Sequence, residues 1–87
     1  MDKSALAGAR ILIVEDEPMI ALDLEQILMS AGAVVRSASG VQEALDLIGA
    51  EPFSAAVVDH GLRNEKSRAI YDELESRNVP FVVYTGY

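Results

Sequence analysis

Apolar positions along the chain fall into two alternating patterns. Short continuous runs mark strands buried on both faces of a sheet. They occur in Arg10–Glu15, where four apolar residues end in acid, in Phe53–Val58 and in Phe81–Tyr84. A shorter and more polar run, Ala33–Ser37, reads as a strand at a sheet edge. Between these runs the apolar residues recur every three or four positions, as on one face of a helix. Ile20, Leu24, Ile27, Leu28 and Ala31 form the first such stripe, with Pro18 suited to its first turn and Gly32 to a left-handed C-cap. Val41, Ala44, Leu45 and Ile48 form the second, opened by a capping box at Ser39-Gly40-Val41-Gln42 and stopped by Gly49. The third, Ser67–Arg77, buries Ile70 and Leu74 with Tyr71 at its margin, and Asn78-Val79-Pro80 turns the chain into the last strand.

Strand, helix, strand, helix, strand, helix, strand, with short connections, is the order of a doubly wound α/β fold with parallel strands and right-handed crossovers. Residues 1–9 read as a loose leader and residues 10–87 as one domain without repeats or linkers. If the strands lie in the order 2-1-3-4, the flavodoxin-like arrangement, the first and third are neighbours and helices cover both faces.

That arrangement gives meaning to the acids. Glu15 and Asp16 follow the first strand, Asp59 follows the third and Thr85 the fourth. In a parallel sheet these ends share one edge, the edge at which such folds bind ligands. On its own stretch, Asp59 before His60-Gly61 reads equally as the start of a turn. Three carboxylates converging on one pocket repel one another unless a cation shares the site. A hard, oxygen-preferring ion fits, and Mg²⁺ is the expected one. A metal beside a carboxylate and a hydroxyl suits phosphoryl chemistry, which depends on positioning and charge neutralisation.

Composition narrows the partners. The net charge of −7, from 14 acidic against 7 basic residues, disfavours direct contact with nucleic acid. No cysteine is present, which removes disulfides and thiolate chemistry. No apolar stretch approaches a membrane span, and the first nine residues lack the apolar core of a signal peptide, so a cytoplasmic location is the default expectation.

The segments Ile-Leu-Ile-Val-Glu-Asp-Glu-Pro (11–18), Val-Val-Asp (57–59) and Phe-Val-Val-Tyr-Thr-Gly-Tyr (81–87) resemble the receiver domain of two-component response regulators. The resemblance runs from residue 10 to the last residue. It implies that Asp59 is the phosphoacceptor, attacking the phosphohistidine of a sensor histidine kinase or phosphotransfer protein. It further implies that Asp16 ligates Mg²⁺ directly, Glu15 does so through water, and the carbonyl of Gly61 completes the protein ligands. Thr85 would hydrogen-bond the acyl phosphate. The family continues with a helix, a fifth strand ending in a lysine, and a last helix, whereas this sequence stops after the fourth strand. Its two lysines, Lys3 and Lys66, stand in the leader and at the start of the third helix. Arg63 occupies a position at which many members have proline. The expectation is therefore a stand-alone receiver or part of a longer chain, with the metal half of the site in place.

Three functions compete. The first is a phosphoacceptor signalling module, not an enzyme in its own right. The second is a pseudo-receiver that binds proteins without phosphorylation. The third is a phosphatase of the haloacid dehalogenase type, which needs a second Asp two residues after the nucleophile, where this chain has Gly61. An open fourth strand carrying Phe81, Val82, Val83 and Tyr84 also predicts a homodimer through that edge. His60 reads as a bystander, Met19 and Met29 as helix filling, Tyr84 as packing beneath a helix and Tyr87 as surface.

Overall fold

The computed structural model describes residues 5–60 and 67–84. In chain order they form β1 (Arg10–Val14), α1 (Pro18–Ser30), β2 (Val34–Ala38), α2 (Val41–Ala50), β3 (Ala55–Asp59), α3 (Ser67–Ser76) and β4 (Phe81–Tyr84). The four strands make one parallel sheet in the order β2-β1-β3-β4, as the alternation of patterns requires.

Side chains alternate across this sheet, so each strand supplies both faces. Leu12, Val14, Ala56 and Val58 face α2 and α3 and form the main core with Ala44, Ile48, Ile70 and Leu74. Tyr71 of α3 stacks on Phe81 of β4, ring centroids 5.3 Å apart, and extends that core to the last strand. The other face carries Ile11 and Ile13, buried with Ala21 of α1. Beyond them Ile11, Ala55, Val57, Pro80 and Val82 line a shallow apolar groove of about 170 Å³.

Helix ends explain most differences from the sequence reading. Gly32 does close α1: at φ 101 it lets its own N–H reach Met29 O (3.0 Å) and the Ala33 N–H reach Leu28 O (3.1 Å), a Schellman motif. Asn78, at φ 58, ends α3 in the same way, with the Val79 N–H on Leu74 O at 2.9 Å. The capping box of α2 is displaced by one residue. Glu43, not Gln42, reaches back, its carboxylate accepting from Ser39 N–H (2.8 Å) and Oγ–H (3.1 Å), while Gln42 bonds Asp46. Gly49 does not stop α2, which continues to Ala50 before Glu51 caps it through Leu47 O.

Strand limits also shift. β1 ends at Val14, although the Glu15 N–H still bonds Ala38 O at 2.9 Å; β2 starts and ends one residue later than read. β3 starts at Ala55 and includes Asp59, and α3 ends at Ser76. On α1 the inward position is Ala21, while Ile27, Met19 and Met29 face solvent, so the two methionines do not fill the interior. α1 packs at the β1–β2 side of its face, against β1 and β2.

Leu74 and Ile70 are fully buried between α3 and the sheet. Leu74→Ala is expected to cost about 2–4 kcal/mol through lost burial and the cavity left behind. A lower midpoint in urea with unchanged slope would report it. Met19→Ser on the exposed side of α1 should change stability by less than about 0.5 kcal/mol.

Candidate functional site

The register of the sheet builds the site. Val14 pairs with Val58, so the next rung carries Glu15 beside Asp59, and Asp59 in turn pairs with Tyr84. By alternation all three side chains leave the α1 face at the carboxyl edge. Glu15 is 3% exposed and Asp59 6% exposed, while Asp16 beside them is open to solvent. One carboxylate oxygen from each lies within 4.8 Å of the others.

Local backbone makes this crowding tolerable. Glu17, in extended conformation, is the N-cap of α1, and Pro18 occupies the first turn, where its missing N–H costs nothing. The positive end of α1 therefore starts beside the acids. The Glu17 N–H donates to Glu15 Oε2 at 2.9 Å. The hydroxyl of Tyr84 donates to Glu15 Oε1. Burial pushes the Glu15 carboxyl above its ordinary value; these two donors pull it back, and the charge of Asp59 pushes it up again. Burial likewise raises the Tyr84 phenol well above its usual range, reinforced by the carboxylate it donates to and by Asp59 and Asp16.

The sequence reading named Glu15, Asp16 and Asp59, and the fold brings these three together. Gly61 and Thr85 lie outside the described residues, as do Lys3, Arg63, Lys66 and Tyr87. His60 is exposed, and its backbone N–H, not its ring, joins the last rung, on Tyr84 O at 2.6 Å. Tyr84 corrects the expectation of simple packing: its ring is half-buried and its hydroxyl belongs to the site. The signal was present, because in register with Asp59 a β4 residue shares its face. A groove of about 580 Å³ lies elsewhere, between α3 and β4, lined by Ser67, Tyr71, Phe81 and Val83, so concavity alone does not mark the chemistry.

The donor set fits a hard divalent cation. All three donors are carboxylate oxygens, and two direct ligands of an octahedral Mg²⁺ at about 2.1 Å lie at most about 4.2 Å apart. The three oxygens lie within 4.8 Å of one another, close enough to share one cation directly or through water.

Comparisons with known proteins point the same way. The model of the response regulator receiver domain matches residues 11–87. The fold is similar to that of the response regulator PhyR from Brucella abortus, with a TM-score of 0.83 and 31% identity. That match covers 98% of this chain and 36% of PhyR, so the chain spans about a third of that protein's length. SdrG from Pseudomonas melonis Fr1, solved in its BeF₃-activated conformation, gives a TM-score of 0.70 at 38% identity over 88% of this chain and 67% of SdrG. The response regulator TrrA from Thermotoga maritima, solved with Mg²⁺-BeF, shares the fold at a TM-score of 0.78 and 23% identity, over 91% of this chain and 70% of TrrA. No curated protein matches the sequence.

Charge repulsion within the cluster has a measurable consequence. In chelator, Asp59→Asn is expected to stabilise the fold by about 1 kcal/mol, a rise of about 4–8 °C in melting temperature for a domain of this size. A melt showing the variant less stable than the parent would mean that other contacts of Asp59 outweigh the repulsion.

Proposed function

The chain belongs to the response regulator receiver domain family, and from that premise we propose that it accepts a phosphoryl group on Asp59. The observation that carries the reading is the meeting of Glu15, Asp16 and Asp59 within 4.8 Å at the carboxyl edge. The donor is a sensor histidine kinase or a phosphotransfer protein. An Asp59 carboxylate oxygen attacks phosphorus, the bond from phosphorus to the donor imidazole nitrogen breaks with its electron pair returning to the ring, and an aspartyl phosphate forms. Asp59 suits this role because it ends a strand fixed on both sides, by β1 and β4. Asp16 and Asp59 would hold Mg²⁺ directly, Glu15 through water, and Gly61 by its carbonyl; the ion supplies charge neutralisation for the incoming phosphoryl group. Thr85, which follows β4 directly, donates its hydroxyl to that group.

Support for the ion comes also from TrrA, which was solved with Mg²⁺-BeF, and from the all-oxygen donor set. The module acts in the cytoplasm as a switch, not as an enzyme, and binds neither nucleic acid nor membrane. Its net charge of −7 favours cations and basic protein faces. No helix among the described residues is long and apolar enough to cross a membrane. A second copy is the other partner: β4 lies at the edge of the described sheet, with Val82 61% and Val83 42% exposed. Pairing of two such edges gives a two-fold dimer.

With Mg²⁺ and acetyl phosphate, the chain is expected to gain one phosphoryl group on Asp59, slowly, and Asp59→Asn to gain none. Intact-mass and peptide spectrometry would locate it. Label on another residue would overturn the assignment, and no label at all would leave the pseudo-receiver reading in its place. For the dimer, sedimentation over a concentration series should show self-association of the 87-residue chain that Val83→Lys abolishes. A monomer throughout the series would remove that proposal.

A further inference from the structure

Tyr84 reaches further than its place in the sheet suggests. β1 and β4 are separated by β3, a gap of about 9–10 Å at the usual strand spacing. Yet the Tyr84 hydroxyl donates to Glu15 Oε1. The side chain must therefore lie across the end of β3, on the face from which Asp59 leaves the sheet. The proximity of its phenol to Asp59 and Asp16 is felt electrostatically as well.

This contact completes the anchoring of Glu15. Oε2 is taken by the Glu17 N–H at 2.9 Å and Oε1 by Tyr84, so the carboxylate is fixed about its own axis by one donor on each oxygen. An ionised carboxylate has about four lone-pair sites, so these two donors do not exhaust it. Without the phenol, the nearly buried carboxylate beside Asp59 loses one of the two donors that set its orientation.

We propose that Tyr84 is a positioning residue for the divalent-cation site, holding Glu15 oriented towards Asp16 and Asp59. The proposal rests on the cation reading given above. Groups that orient metal-binding side chains in this way typically contribute about 10–100-fold in affinity.

The test is Mg²⁺ titration by calorimetry on the parent chain, Tyr84→Phe, Glu15→Gln and the double variant, with melts in chelator alongside. Tyr84→Phe is expected to weaken Mg²⁺ binding about tenfold while leaving the metal-free melting temperature within a few degrees. Because Tyr84 acts through Glu15, the same change should have no further effect in the Glu15→Gln background. Unchanged or tighter binding by Tyr84→Phe overturns the proposal and leaves the cation site standing. So does an equal loss in both backgrounds. Absence of Mg²⁺ binding by the parent overturns the cation reading itself, and this proposal with it. The chain has three tyrosines, so a Tyr71→Phe, Tyr87→Phe chain leaves Tyr84 as the sole near-ultraviolet reporter. Mg²⁺ should perturb its absorption; a silent spectrum counts against the role even if Tyr84→Phe fails to fold.

Discussion

Glu15 and Asp59 stand on one rung of a parallel sheet, and neither strand can withdraw its acid. β1 is hydrogen-bonded on both sides, and Leu12, Ile13 and Val14 leading up to Glu15 are fully buried. Val58 before Asp59 is equally buried. Each such side chain contributes about 1.5–3 kcal/mol by leaving water, and together they outweigh the repulsion between two partly screened carboxylates. Hydrophobic register thus holds together charges that would separate if left to themselves. Relief is local: a backbone N–H from Glu17, the hydroxyl of Tyr84 and the start of α1 all face the same carboxylate cluster.

Much of this was legible in the sequence, for identifiable reasons. Runs such as Ile11–Val14 have no polar side, which only a strand covered on both faces allows, and that alone implies the parallel sheet. Once the strands are parallel, Glu15, Asp16 and Asp59 must share an edge. Gly32 was readable because its φ of 101 is a conformation few other residues adopt readily. The motifs around Glu15, Asp59 and Thr85 then narrowed a general α/β fold to one family.

What was not legible depends on neighbours distant in sequence. Periodicity on α1 could not show that Ala21 faces the sheet while Ile27 faces water, since the width of the buried stripe is set by what α1 packs against. The helix-capping carboxylate at Glu43 differs from Gln42 by one residue, within the usual uncertainty of helix starts. Tyr84 was read as packing because its aromatic body suits a strand. Its polar end becomes informative only when the register between β3 and β4 places it beside Asp59.

The shared rung also bears on what errors of assembly would do. A parallel strand that slips by one residue turns each of its side chains to the opposite face. If β3 paired with β1 one position out, Asp59 would leave Glu15 and Tyr84 on the far side of the sheet. The acidic cluster would then not exist. If the chain accepts a phosphoryl group as proposed, a copy assembled in this way would lack the place to receive one.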